Sequence, residues 1–169
     1  MAGEDRGEIM TKKEVWGGPN PLSSCRSPAA EDREIVWLED VYEPAEDTLL
    51  LLRVALEEVD TFDRVLEMGC GRGMISKRLV PLAKSVLATD INPSAAKILR
   101  RAGIDAVQAD LFCGIRSKFD LVLFNPPYLP TGEGEVLKGW LNFAFDGGKN
   151  GRDTINRFLE MVGDHLEAE

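Results

Sequence analysis

Histidine is nearly absent, cysteine is sparse and positive charge is in deficit. The 169 residues hold one His, three Cys, and 20 Lys and Arg against 29 Asp and Glu, for a formal net charge of -9. Cys25, Cys70 and Cys113 are odd in number and widely spaced, with no C-x-x-C pair, so they indicate neither a disulfide framework nor a zinc site and point to a reducing compartment. The single histidine, His165, falls near the end of the last expected helix and reads as a helix-terminal surface residue rather than a catalytic base. The acidic balance disfavours a long phosphate backbone as ligand and favours a protein or small-molecule substrate. No run of 18 apolar residues and no charged-then-apolar leader is present, so membrane insertion and secretion are not expected and the cytoplasm is the expected location. There are no internal repeats.

The length and the 44% hydrophobic content suit one soluble domain with a single core. Residues 1–32 carry Gly, Pro, Ser and charges without any period and read as a flexible extension, leaving 33–169 as the folded domain. A short β-like run at 35–38 precedes Tyr42-Glu43-Pro44-Ala45-Glu46-Asp47-Thr48, which opens a helix. Pro44 suits its first turn, Glu46 and Asp47 suit its positive end, and apolar residues at 49–56 supply a buried face. Helix-end electrostatics alone would account for these acids.

Three strand–loop units follow. The strand at 64–68 runs into Glu67-Met68-Gly69-Cys70-Gly71-Arg72-Gly73 and a helix over 74–82, a loop where backbone can turn tightly and lie against a ligand. Its spacing is G-x-G-x-G, not G-x-G-x-x-G, which suits a nucleoside better than a pyrophosphate. The strand at 85–89 ends in Asp90, about 20 residues beyond the loop, where an acid can accept both ribose hydroxyls. Asn92 and Pro93 then cap and start a helix over 94–102. The strand at 105–109 ends in Asp110, which could accept from an adenine amine, with Leu111 and Phe112 as a wall for the ring. A fourth apolar strand, 119–124, runs into Asn125-Pro126-Pro127-Tyr128. Two prolines stiffen that turn and leave carbonyls free to accept. A last helix is expected over 151–166.

Taken in order, Glu67-x-Gly69-x-Gly71-x-Gly73, Asp90, Asp110 and Asn125-Pro126-Pro127-Tyr128 resemble the S-adenosylmethionine-dependent methyltransferases that modify planar amino or amide nitrogens. The stretches Tyr42-Glu43-Pro44-Ala45-Glu46-Asp47-Thr48 and Gly147-Gly148-Lys149-Asn150-Gly151-Arg152-Asp153 resemble the flanking motifs of the HemK-like branch, specifically the eukaryotic and archaeal release-factor glutamine methyltransferases. The resemblance covers about residues 36–166. It implies an α/β fold of the Rossmann-like class I methyltransferase type: a three-layer αβα arrangement around a mostly parallel sheet, here cut short after the fourth core strand and its following helix.

The resemblance further implies S-adenosylmethionine as cofactor, held by Thr48, Glu67, Gly69, Gly71, Asp90, Asp110, Leu111 and Asn125, with no metal. Asn125, Pro126, Pro127 and Tyr128 would hold the substrate, and Asn125, Pro126 and Tyr128 would carry the catalysis. The implied activity is N5-methylation of a glutamine in the GGQ motif of a translation release factor, with a small zinc-binding activator protein as partner. Two other readings stay open. A nucleic-acid N-methyltransferase would share the tetrapeptide but calls for a basic face, and an inactive nucleoside-binding module would explain the glycine loop but not the tetrapeptide.

Overall fold

The computed structural model describes residues 41–132 and 139–167. The boundary between extension and domain at residues 32 and 33, and the run at 35–38, lie outside the described residues. Four strands form one parallel sheet in the order β3-β2-β1-β4: β1 is Arg64–Met68, β2 Ser85–Asp90, β3 Asp105–Gln108 and β4 Leu121–Phe124. Register aligns their carboxyl ends, with Met68 opposite both Thr89 and Phe124, and Asp90 opposite Gln108. The residues that follow these strands therefore emerge along one edge, where open α/β sheets bind ligands.

Side-chain alternation divides the core. Val65, Val86 and Leu123 face Ala55 of α1 (Glu46–Glu58) and Ile75 and Leu79 of α2 (Met74–Leu79). Ala88 and Ala106 meet Ala95, Ala96 and Leu99 of α3 (Pro93–Arg101), where small residues let helix and sheet approach closely. On the opposite face Leu66 and Met68 pack with Leu111, Phe112 and Phe119, covered by Phe158, Met161 and Val162 of α5 (Asp153–Val162). Phe158 lies 5.8 Å from the Phe112 ring and 5.0 Å from the Phe124 ring. Leu66, Leu79 and Leu99 are fully buried, so truncating any of them to Ala would cost about 2–5 kcal/mol.

Several element ends differ from the sequence expectation. Pro44 precedes Ala45, the N-cap of α1, and so lies outside the first turn. The helix expected over 74–82 stops at Leu79: Val80 keeps right-handed helical backbone, but Pro81 has no N–H to continue the hydrogen-bond ladder. The helix expected over 151–166 shortens to α5 and a 3-10 turn, Gly163–His165, since Gly151 takes φ +69° ahead of the helix. A short helix α4, Asn142–Phe145, was not expected. The strand expected over 119–124 begins its ladder at Leu121, while Phe119 instead bridges Leu166 in parallel, with Phe119 N–H on the His165 carbonyl and Glu167 N–H on the Phe119 carbonyl. Beyond that bridge the outer edge of β4 meets no strand among the described residues.

The cysteine reading needs one correction. Cys70 is a buried free thiol, but Cys113 is disulfide-bonded; linear spacing carries no information on which sulfurs meet in space. His165 stacks on Phe112 with ring centroids 4.3 Å apart, and its Nδ1 lies 3.2 Å from the Ser117 carbonyl oxygen. Among the described residues no helix is long and apolar enough to cross a membrane, and no group of three or more candidate metal ligands is assembled.

Candidate active site

A cavity of about 430 Å³ opens at the carboxyl edge of the sheet. Its walls bring together Thr48, Glu67, Gly69, Gly71, Asp90, Asp110, Leu111, Asn125, Pro126, Pro127 and Tyr128, whereas Phe112, expected as a wall for the ring, is buried in the core beside Phe158 and does not line the cavity. The floor is the glycine loop. Gly69, Gly71 and Gly73 all have positive φ, and a Cβ on Gly73 would fall 2.5 Å from Leu99 Cδ1. Gly73 is also the N-cap of α2 and has no side chain to cap with. Glu67 supplies the missing acceptor from the end of β1: its Oε2 accepts from Ser76 N–H at 2.7 Å and from the Ser76 hydroxyl. Burial pushes the Glu67 carboxyl up to about 7, against the lowering effect of those two bonds.

Asp90 stands between the loops rather than free in the cavity. Its Oδ2 accepts from Gly71 N–H and its Oδ1 from Asn92 N–H, each at 2.8 Å. Burial raises its pKa, and the two N–H donors work in the opposite direction. A carboxylate has about four acceptor sites, so capacity for ribose hydroxyls remains. Asp110 departs further from expectation: its Oδ2 pairs with the Arg157 guanidinium of α5 at 2.8 Å. Any adenine amine would have to share that carboxylate. Leu111 beside it is the one described non-glycine residue with positive φ, +50°, a backbone state that costs of order 1–3 kcal/mol and is concentrated at ligand sites. Thr48 lines the cavity, but its hydroxyl sits 3.4 Å from both Ala45 N and Asp47 Oδ1, within the first turn of α1.

The catalytic turn is held from two sides. On one, Asn125 Nδ2 donates to Asp47 Oδ2 at 3.0 Å, and this bond is the leading cause that holds the Asp47 carboxyl below its usual range. The amide oxygen of Asn125 is left as the acceptor. On the other, the loop from Gly147 to Asp153 buttresses the residues after Pro127. Leu129 N–H bonds the Phe145 carbonyl, Gly147 N–H the Leu129 carbonyl and Thr131 N–H the Gly148 carbonyl. Gly151 lies so near Tyr128 that an added Cβ would stand 2.3 Å from its carbonyl oxygen. Tyr128 itself is 52% exposed at the cavity mouth. Three residues escaped the sequence reading: Asp47 as the partner of Asn125, Arg157 as the partner of Asp110, and Ser76 as the partner of Glu67. Their separations, 78, 47 and 9 residues, leave no local signal.

A family model described as Methyltransferase small domain matches residues 43–140. A Methanocaldococcus jannaschii protein named provisionally as a protein N5-glutamine methyltransferase is 46% identical over 135 residues, covering 76% of this chain and 68% of that protein. Methyltransferase HEMK2 of Homo sapiens is 38% identical over 143 residues, covering 75% of this chain and 67% of its own length. The chain thus spans about two thirds of the length of these relatives. Among solved structures, the E. cuniculi Mtq2-Trm112 complex, described as responsible for methylation of the eRF1 termination factor, contains a chain 35% identical with a TM-score of 0.60, covering 73% of this chain and 69% of that one. A ribosomal protein L11 methylase from Lactobacillus delbrueckii, 19% identical with a TM-score of 0.53, shares the fold. With a glycine loop, two strand-end acids and an Asn-Pro-Pro-Tyr turn converging on one cavity, this chain belongs to the methyltransferase small domain family, within its HemK-like branch of protein N5-glutamine methyltransferases.

Proposed function

We propose that this protein methylates the side-chain nitrogen of a glutamine in a translation release factor, with S-adenosylmethionine as methyl donor. The observation that carries the reading is the orientation of Asn125, whose NH₂ is taken by Asp47 so that its carbonyl oxygen is the group left to meet an incoming N–H. The residues present fit the cofactor. Gly69 and Gly71 form a floor without side chains, the N-terminus of α2 points toward it, and Asp90 and Asp110 supply acceptors at successive strand ends. When bound there, the cofactor supplies an electrophilic methyl group on a cationic sulfur.

The chain's own part is positioning. An amide nitrogen is a weak nucleophile because its lone pair is delocalised into the carbonyl, so orientation and hydrogen bonding supply most of the rate. The Asn125 amide oxygen and the Pro126 carbonyl accept the two N–H groups of the substrate amide, which favours a pyramidal nitrogen and stabilises the positive charge that develops there. Tyr128 walls the amide plane, and the proton leaves to water once the new N–C bond has formed. No dedicated base is required. Thr48, Glu67 and Leu111 complete the cofactor site: Glu67 by capping α2, Leu111 by its fixed backbone at the adenine end.

The similarity to the Mtq2 chain, solved with Trm112, supports a small zinc-binding activator as partner. Among the described residues the outer edge of β3 pairs with no strand, and it is the surface on which that partner would dock. A release factor as substrate supports the cytoplasm as its location. The test is methyl transfer from labelled cofactor to a GGQ-containing release factor and to an adenine oligonucleotide. The protein substrate should be labelled and the oligonucleotide not. Asn125→Ala should retain cofactor affinity and lose turnover by about 10² or more; labelling of the oligonucleotide alone would replace this reading with nucleic-acid methylation.

A further inference from the structure

Asp47 receives four donors at the start of α1, the weakest being the Thr48 hydroxyl at 3.4 Å from Oδ1. Asn125 Nδ2 lies 3.0 Å from Oδ2, the Tyr42 hydroxyl 3.1 and 3.2 Å from the two oxygens, and Thr48 N–H 2.7 Å from Oδ1. An ionised carboxylate only accepts hydrogen bonds. The end of the Asn125 amide that faces it must therefore be NH₂, and the oxygen must face away from it. Without that partner the amide could turn over about its last torsion, which is broad and roughly two-fold. Turned over, it would present NH₂ to a substrate NH₂, donor against donor.

The same charge restricts what position 125 can hold. An aspartate there would set two carboxylates about 3 Å apart, an arrangement in which both cannot stay ionised. Tyr42 and Thr48 stabilise the negative charge on Asp47 in particular, so the charge conflict falls on residue 125. We propose that Asp47 is the positioning residue of the site: it locks the Asn125 amide with its oxygen toward the substrate nitrogen and makes an amide, rather than a carboxylate, obligatory at that position. The nature of the substrate rests on the glutamine-methylation reading; the orientation of Asn125 does not.

Two measurements test it. In nitrogen-correlated proton NMR of the full chain, the Asn125 side-chain NH₂ pair, identified by its loss in Asn125→Ala, should be shifted and slow to exchange. It should move to the position of a solvated amide in Asp47→Ala. Asp47→Asn, which preserves size and an acceptor for Thr48 N–H, serves the same purpose if Asp47→Ala does not melt cooperatively. An unmoved pair in either folded variant overturns the proposal. In the release-factor assay, Asp47→Ala should lower kcat by about 10-fold or more with cofactor Kd changed by less than about three-fold. Asn125→Asp should be about as impaired as Asn125→Ala. The exchanged pair Asp47→Asn with Asn125→Asp restores one donor facing one acceptor, and should regain about 10-fold over Asn125→Asp alone. A double variant no better than Asn125→Asp refutes the pairing, because a merely structural Asp47 offers no route to rescue. If the wild-type protein labels no release factor, the glutamine reading falls while the NMR result still decides the role of Asp47.

Discussion

Gly151→Ala is the sharpest test of how the Asn-Pro-Pro-Tyr turn is supported. Gly151 has φ +69° and no room for a side chain, since a Cβ would come within 2.3 Å of the Tyr128 carbonyl oxygen and 3.3 Å of Pro130 N. Two costs add. An L-residue in left-handed backbone costs roughly 1–2 kcal/mol, and relieving the overlap by moving backbone costs about 1–3 kcal/mol more. Gly103 separates them: its φ is +78°, yet nothing lies within 4 Å of an added Cβ. Gly103→Ala should therefore show the conformational cost alone, while Gly151→Ala should be destabilised by about 1–3 kcal/mol beyond it. Denaturant unfolding of the three proteins measures both. Relief of the clash must displace the Tyr128 carbonyl, so Gly151→Ala should also lose about 10² in turnover, the cost of a roughly 1 Å misplacement, whereas Gly103→Ala should remain active. Equal stability and equal activity in the two variants would refute the view that the 147–153 loop holds the turn in place.

Glu67 titrates near 7 in the fold against 4.5 for a free side chain. Because its folded pKa is raised, the folded state holds the proton more tightly: no penalty exists below pH 4.5, stability falls as pH rises from 4.5 to 7, and roughly 3 kcal/mol is lost above 7. Glu67→Gln retains an acceptor for Ser76 and should flatten that part of the pH dependence; chemical denaturation at pH 5 and pH 7.5 showing a constant difference between wild type and variant would contradict it. Asp90→Ala should weaken cofactor binding by about 2–3 kcal/mol in calorimetry and, by orphaning the Gly71 and Asn92 N–H groups, should also lower the melting temperature. A variant with unchanged cofactor affinity would remove Asp90 from the ribose role. The outer edge of β4 is unpaired among the described residues beyond Phe119, so the isolated chain should self-associate or melt weakly in light scattering and thermal scans; a monodisperse, cooperative monomer at high concentration would show that four strands suffice.

The sheet was legible because each strand is a short apolar run that ends in a residue of distinct chemistry. Glycine after β1, Asp90 as the last residue of β2, Asp110 after β3 and Asn125 after β4 marked the strand ends to within two residues. Asn92 and Pro93 likewise set the start of α3, with Asn92 Oδ1 accepting from Ser94 N–H at 2.9 Å. What escaped depends on distance in sequence. Asp47 read as a helix-end charge because nothing near residue 47 records that Asn125 will lie beside it, and Asp110 read as free because Arg157 arrives on another helix. The bounds of α5 also escaped: its apolar face continues the helical period, while Gly151, with left-handed backbone packed on the Tyr128 carbonyl, keeps the helix from starting there, and its last turn tightens to 3-10 at Gly163–His165.

The ring of Phe158 touches Phe112, which follows β3, and Phe124, which ends β4. These two strands are the opposite margins of the sheet, about 14 Å apart at the usual strand spacing, and no backbone hydrogen bond links them. Phe158 thus joins, through one aromatic side chain, two margins of the sheet whose separation the strand ladder sets. A smaller residue there should remove the one side-chain link between the residue that follows β3 and the residue that ends β4, while the sheet and the polar groups of the site stay in place.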